Sequence, residues 1–128
     1  MRLLLDTCVF LWLTTEPSKL SSAATIALDD EQNDLFLSDA SQWENVLKYT
    51  AGKLPLPEVP RQWIPGELAF HGIHTATIVS EALYLSGELP GDHRDPFDRL
   101  IAAQAVVGGF QLVSPDDAYR SLGISSLW

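Results

Sequence analysis

The sequence predicts an α/β sandwich with a mostly parallel central sheet. Short apolar segments typical of strands alternate along the chain with longer segments that carry helix signals. The chain has 128 residues, of which 46% are hydrophobic and 20% charged, so it can bury a core and is too apolar to be disordered. Because no repeat, low-complexity tract or long linker divides it, we expect a single domain over residues 1–128.

The first half of the chain predicts two strands and three helices. Residues 2–5 form a short apolar run that stops at Asp6, which indicates a buried strand. A helix over residues 9–13 follows, and Ser21-Ser22 can cap a second helix that runs to about residue 28. The next strand is expected at residues 35–37, and the third helix at residues 39–51, where Gly52 stops it.

The second half predicts three more helices and three more strands. Asp95-Pro96 is the strongest helix start, because Asp caps helices and Pro favours the first helical position. This long helix runs to about Val107 and ends at Gly108-Gly109. The other helices are expected at residues 61–70 and 77–85, and the strands at residues 73–75, 110–114 and 124–128.

The charge balance at first argues against a nucleic-acid ligand. Eight Lys and Arg stand against 17 Asp and Glu, giving a formal net charge of −9, whereas phosphate binding normally needs a basic surface. The total is weak evidence, however, because bound divalent cations change the field of an acidic site. Much of the excess also lies at residues 29–34, which are typical of a solvated loop.

Cysteine content and the N-terminal residues predict the compartment. Cys8 is the only cysteine, which excludes an internal disulfide and fits a reducing compartment. Asp6 interrupts the apolar run of residues 3–5, so we expect neither a signal peptide nor a membrane span. We therefore expect a soluble, cytoplasmic protein that does not associate with membranes.

Acidic residues lie just past the ends of predicted strands or in the first turns of predicted helices. These residues are Asp6, Glu44, Asp95, Asp98 and Asp116. Since ligands of open parallel sheets bind beyond the carboxyl ends of the strands, we expect the carboxylates to meet at that edge. Converging carboxylates repel one another unless cations neutralise them, and Mg²⁺ or Mn²⁺ suits such oxygen ligands. Two such ions can activate a water and stabilise the leaving oxygen of a phosphodiester.

Each acidic residue also has a purely structural explanation. Asp6 and Asp95 each precede a helix and can cap it, and Asp95 is the better cap because a proline follows it. Glu44 stands at a capping-box spacing from Ser41 and at a favourable helical spacing from Lys48. Only the joint placement of the acidic residues at strand ends favours a metal site over these explanations.

At these positions the sequence resembles the VapC branch of the PIN-domain family. The segment from His93 to Ala105, which reads HRDPFDRLIAAQA, is the most specific match. The other matching segments occur in the right order over nearly the whole chain, at residues 3–7, 11–12, 38–48, 52–55, 112–116 and 127–128. Cys8 departs from the pattern, because this branch often has His there.

The resemblance implies a three-layer α/β/α fold and an Mg²⁺- or Mn²⁺-dependent endoribonuclease, the toxin of a toxin–antitoxin pair. It implies an RNA substrate, a VapB-like antitoxin that inhibits at the active-site groove, and a homodimer. Asp95 and Ser114 match residues that assist the acidic set. The catalytic and metal-binding residues that the resemblance implies are Asp6, Glu44, Asp98 and Asp116.

Basic residues close to the acidic positions are candidates for binding RNA phosphates, because phosphate contacts position a nucleic acid. Thr7 can contact a phosphate or only support a helix cap, and His93 fits a loop residue better than a ligand. The four tryptophans are expected in the core or at a dimer contact rather than as stacking platforms for bases. The basic candidates are Lys48, Lys53, Arg94 and Arg99.

Three other functions stay open. A metal-dependent phosphatase of the haloacid-dehalogenase type also has Asp at the end of its first strand, but it needs a second Asp where this chain has Cys8. A cation-dependent switch like a response-regulator receiver needs a central phosphoacceptor Asp, which residues 73–75 lack. A PIN-like binding module without activity is disfavoured because the acidic set is complete.

Overall fold

Five parallel strands form one sheet in a computed structural model that describes residues 1–128. The strand order is β3-β2-β1-β4-β5, and every neighbouring pair is parallel. The strands are β1 (Arg2–Leu5), β2 (Asp34–Ser38), β3 (Ile73–Ala76), β4 (Gln111–Val113) and β5 (Ser126–Leu127). All five predicted strands are confirmed, although β4 and β5 are shorter than the apolar runs that predicted them.

Seven α-helices cover the sheet. They are α1 (Thr7–Thr15), α2 (Ser22–Asp29), α3 (Asp39–Thr50), α4 (Pro60–His71), α5 (Ser80–Glu88), α6 (Pro96–Gly108) and α7 (Ala118–Ser121). Side-chain oxygens of Asp6, Ser21, Ser38 and Asp95 accept backbone N–H groups and cap α1, α2, α3 and α6. Because Asp6 already caps α1, that helix begins earlier than the predicted residue 9.

One predicted boundary needs correction, and one short element was not predicted. The helix predicted from residue 77 starts only at Ser80, because Val79 keeps an extended backbone. A short 3-10 turn at Pro17–Lys19, which the sequence reading did not predict, leads from α1 towards α2. Neither change moves a residue of the predicted site.

The core lies on both faces of the sheet, so the molecule has three layers, α/β/α. Leu3 and Leu5 pack with residues of α1, α2 and α4, including Phe10 and Trp63. Leu4 points to the opposite face and packs with residues of α6 and α7. The expected α/β/α fold with a parallel sheet is therefore confirmed. No helix has both the length and the apolar character to cross a bilayer.

The connection from β3 by way of α5 and α6 to β4 places β1 at the point where the strand order reverses. β1 lies between β2 and β4, and the backbone N–H of Asp6 donates to the Val113 carbonyl at 3.0 Å. Such a switch point opens a crevice at the carboxyl edge of the sheet. Asp6 therefore stands at the position in this fold where a ligand is expected.

Candidate active site

Asp6 is a buried carboxylate that is held only by neutral donors. It is 5% exposed, and its oxygens accept hydrogen bonds from the Thr7 backbone N–H at 2.8 Å and the Ser114 hydroxyl at 2.7 Å. Burial raises the pKa of Asp6, the hydrogen bonds from Ser114 and Tyr119 oppose this rise, and the charge of Glu44 adds to it. No Lys or Arg pairs with this carboxylate, so its negative charge is not neutralised within the protein.

Tyr119 links Asp6 to Asp98. Its buried hydroxyl lies 3.0 Å from Asp6 Oδ1 and 3.2 Å from Asp98 Oδ1. A phenol has one proton, so it donates to only one of these carboxylates at a time. Burial and the two neighbouring carboxylates raise the pKa of Tyr119, which therefore stays protonated. The sequence reading did not identify Tyr119; its only local signal is a spacing of three residues from Asp116.

Asp98 lies in the first turn of α6, as predicted, and has a second partner. Its Oδ2 is 2.8 Å from His93 Nε2, a contact that the sequence reading did not assign. Burial raises the pKa of Asp98 to about 6, the His93 contact lowers it, and the charges of Asp95 and Asp6 raise it. His93 therefore holds one oxygen of Asp98 while Tyr119 contacts the other.

Glu44 lies on α3, buried beside the other acids. It is 8% exposed, and its Oε2 is 3.0 Å from Lys48 Nζ, the helical pair that the spacing predicted. The predicted capping box with Ser41 does not form, because Ser38 caps α3 instead. The Ser41 hydroxyl accepts the Thr7 hydroxyl at 2.9 Å, so Thr7 joins α1 to α3.

Asp95 and Asp116 are exposed, and both serve as local caps. Asp95 Oδ1 accepts the backbone N–H of Phe97 at 2.9 Å, which is the capping role foreseen for it. Asp116 Oδ1 accepts the Ala118 N–H at 2.9 Å, and its own N–H donates to the Ser114 hydroxyl at 3.0 Å. Ser114 thus contacts both Asp6 and Asp116.

Asp6, Glu44, Asp98 and Asp116, here called the acidic cluster, all lie around the carboxyl edge of the sheet. Tyr119 links the carboxylates of Asp6 and Asp98, and Ser114 links Asp6 to the backbone of Asp116. No three Asp, Glu, His or Cys side chains converge tightly enough to hold a metal ion. The donors are nevertheless carboxylate oxygens, and Asp6 has no cationic partner. This donor set fits a hard divalent cation such as Mg²⁺ or Mn²⁺.

The basic candidates for RNA binding differ in whether their side chains are available to contact a phosphate. Arg99 donates to the carbonyls of Ser86, His93 and Leu89 at 2.7–3.0 Å, so we assign it to holding the loop before α6. Lys48 is half exposed beside Glu44. Two further candidates, Lys53 and Arg94, are exposed.

Cys8 lies next to the acidic cluster, with its Sγ 3.7 Å from Asp6 Oδ2. Burial, together with the charge of Asp6, raises the pKa of this thiol to about 12. The thiol is therefore protonated at neutral pH, and it is a poor metal ligand and nucleophile in that form.

A parallel α/β/α sandwich with buried carboxylates at its switch point belongs to the class of α/β proteins that bind ligands at the carboxyl edge of the sheet. Within that class, the family model described as the PIN domain matches residues 3–124. This chain therefore belongs to the PIN-domain family.

Comparison with individual proteins agrees with this assignment. The chain is 34% identical over 122 residues to Ribonuclease VapC22 of Mycobacterium tuberculosis, covering 92% of this chain and 89% of that protein. Its fold is similar to VapBC2 from Rickettsia felis bound to a promoter DNA fragment, with a TM-score of 0.74, 16% identity and complete coverage of both chains. It is also similar to VapBC-1 from nontypeable Haemophilus influenzae, with a TM-score of 0.60, 14% identity and coverage of 98% and 96%.

Proposed function

We propose that this protein is an Mg²⁺- or Mn²⁺-dependent endoribonuclease and the toxin of a VapBC-type toxin–antitoxin pair. The observation that carries the proposal is the buried Asp6 carboxylate, which has only neutral donors and shares Tyr119 with Asp98. The similarity to Ribonuclease VapC22 supports RNA as the substrate. The VapBC structures among its structural relatives support a VapB-like antitoxin as partner. A homodimer and a cytoplasmic location belong to the same proposal.

The chain's own residues would orient the carboxylates and position the RNA. Ser114 and Tyr119 direct the two oxygens of Asp6, and His93 directs Asp98. When bound, Mg²⁺ supplies the Lewis acidity that stabilises negative charge on a phosphodiester. In this proposal the metal-binding residues are Asp6, Glu44, Asp98 and Asp116, and the residues that contact RNA phosphates are Lys48, Lys53 and Arg94.

Cleavage of a mixed cellular RNA pool tests the proposal. We expect cuts with 5′-phosphate ends in Mg²⁺ or Mn²⁺, no cuts in EDTA, and no cuts by Asp6→Asn. Asp117→Asn is the matched control, because Asp117 is a neighbouring carboxylate with a 92% exposed side chain. Cutting that persists in EDTA or in Asp6→Asn contradicts the proposed site.

The alternative is a PIN-like binding module without activity. One observation favours it, namely that no three potential ligands converge in this structure. Wild-type protein that is folded and free of antitoxin, yet leaves every RNA in the pool uncut with either metal, would support this alternative. Unchanged thermal stability on addition of Mg²⁺ or Mn²⁺ would strengthen it.

A further inference from the structure

Trp43 is an exposed tryptophan beside the acidic cluster. It lies on α3 directly before Glu44, and 58% of its surface is accessible although the next residue is 8% exposed. Tryptophan is highly buried on average, so its exposure next to buried carboxylates needs an explanation. We had expected the tryptophans in the core or at a dimer contact, and the core explanation does not hold for Trp43.

Phe97 gives Trp43 a fixed position. The two ring centroids are 5.4 Å apart and the rings meet edge to face at 67°, which joins α3 to α6. Phe97 directly precedes Asp98, just as Trp43 directly precedes Glu44. The aromatic pair, Trp43 and Phe97, is therefore one residue away from two members of the acidic cluster. Because the contact uses only part of the indole, much of that ring system can still meet a ligand.

Few basic groups at this edge are free to contact the phosphates of a nucleic acid. Lys48 pairs with Glu44, and the guanidinium of Arg99 donates to three backbone carbonyls. The chain as a whole carries a net charge of −9. A nucleic acid at this edge therefore gains from an attraction that does not depend on ion pairing, and stacking of a base on an aromatic ring is independent of phosphate charge.

We propose that Trp43, supported by Phe97, is a stacking platform for an unpaired base of the RNA substrate. This inference rests on the ribonuclease function proposed above. Only an unstacked base can reach such a ring, so the platform selects single-stranded or looped RNA over a duplex. Every base has a flat aromatic face, so the platform is tolerant of base identity. It would place the backbone next to that base close to Glu44 and Asp98.

Binding of a labelled, short single-stranded oligoadenylate tests the platform. The full chain is used in an Asp6→Asn background to prevent cutting, and an abasic ribose–phosphate chain of the same length serves as the base-free probe. We expect Trp43→Leu to weaken oligoadenylate binding by roughly tenfold or more, and Trp43→Phe to retain part of the affinity. The abasic chain should bind weakly and equally to every variant.

Phe70→Leu is the matched control. Phe70 is 83% exposed and lies in the last turn of α4, just before β3 begins at the opposite edge of the parallel sheet. Its replacement should therefore leave the binding of both probes unaffected. The roughly tenfold loss of oligoadenylate affinity caused by Trp43→Leu should persist at high salt, because stacking releases no counterions.

Two results would overturn the platform. One is equal binding of the oligoadenylate and the abasic chain to the wild-type background. The other is unchanged oligoadenylate binding by Trp43→Leu; if sedimentation then shows that this variant has lost a dimer, the aromatic pair belongs to a protein interface.

Cleavage assays separate this inference from the proposed function. Wild-type protein that cuts RNA while Trp43→Leu cuts single strands equally well refutes only the platform. Wild-type protein that cuts no RNA refutes the ribonuclease itself.

Discussion

Asp98→Asn should stabilise the metal-free protein at alkaline pH. In the fold the pKa of Asp98 is about 6, against an ordinary value of 3.8. Because the folded pKa is the higher one, folding favours the neutral carboxyl. Stability from this group is complete below about pH 3.8 and is lost as the pH rises through about 6. Ionisation of Asp98 above this window therefore destabilises the apo fold.

The magnitude follows from the pKa difference. About two pKa units correspond to roughly 3 kcal/mol, and the Asp98 side chain is only 15% exposed, so little of this is screened. Asparagine removes the charge and still offers an oxygen to Tyr119 and an amide to His93. Allowing for the weaker hydrogen bonds of an uncharged group, we expect a gain of about 1 to 3 kcal/mol at pH 8. Such a gain raises the Tm by roughly 4 to 10 °C.

Urea unfolding in EDTA, at pH 8 and below pH 4, measures this effect. The gain should vanish below pH 4, and Asp117→Asn, which removes an exposed charge, should change stability little at either pH. In saturating Mg²⁺ the wild-type protein should become more stable than Asp98→Asn, because it gains more free energy from binding the ion. A less stable Asp98→Asn protein at pH 8 in EDTA would refute the reasoning, since a favourable charge at the start of α6 would then outweigh the burial.

Four further results are expected. Tyr119→Phe should lower the free energy of unfolding by about 1 to 3 kcal/mol, because the Asp6 and Asp98 carboxylates lose the one hydroxyl that they share; an unchanged urea midpoint would contradict that contact. Asn45→Leu should raise the Tm, since both polar atoms of the buried Asn45 amide lack a partner, and a lower Tm would show that the amide is satisfied. Arg99→Lys should speed hydrogen exchange in residues 86–93, because one ammonium cannot replace a fork that reaches three carbonyls. Cys8 should react slowly with iodoacetamide at pH 8, as followed by mass spectrometry, because its pKa is about 12; rapid alkylation would contradict the buried thiol.

Most of the fold could be predicted because local patterns determine it. Apolar runs marked β1 and β2, and side-chain caps such as Ser21 and Asp95 marked helix starts. The predicted start of α5 was wrong because Val79 keeps an extended backbone, and no residue near it gives a sequence signal that excludes a helix. The lengths of β4 and β5 depend on which neighbours pair with them, which the sequence does not state locally.

The acidic positions could be predicted for a topological reason, whereas their contacts could not. Asp6 follows the end of β1, and α6, which begins near Asp98, leads into the parallel strand β4, so both residues lie at the carboxyl edge of the sheet. The hydroxyl between them comes from Tyr119, which is 113 residues from Asp6, and no local spacing relates the two. The Arg99 guanidinium donates to the carbonyls of Ser86 and Leu89. These contacts likewise depend on the path of the loop before α6, and no sequence motif indicates them.

Helix capping explains Asp95 but not Asp6. Asp95 is exposed, so capping α6 requires no burial of its charge. Ser, Thr or Asn would cap α1 about as well as Asp6 does, without burying a carboxylate whose pKa is raised. The fold instead places the Asp6 carboxylate at the switch point, where it shares the Tyr119 hydroxyl with Asp98. No Lys or Arg side chain pairs with Asp6. Burial of this charge without a cationic partner costs stability, and it gives the helix nothing that a neutral cap would not give. A role for Asp6 in binding a cation accounts for both the charge and its position.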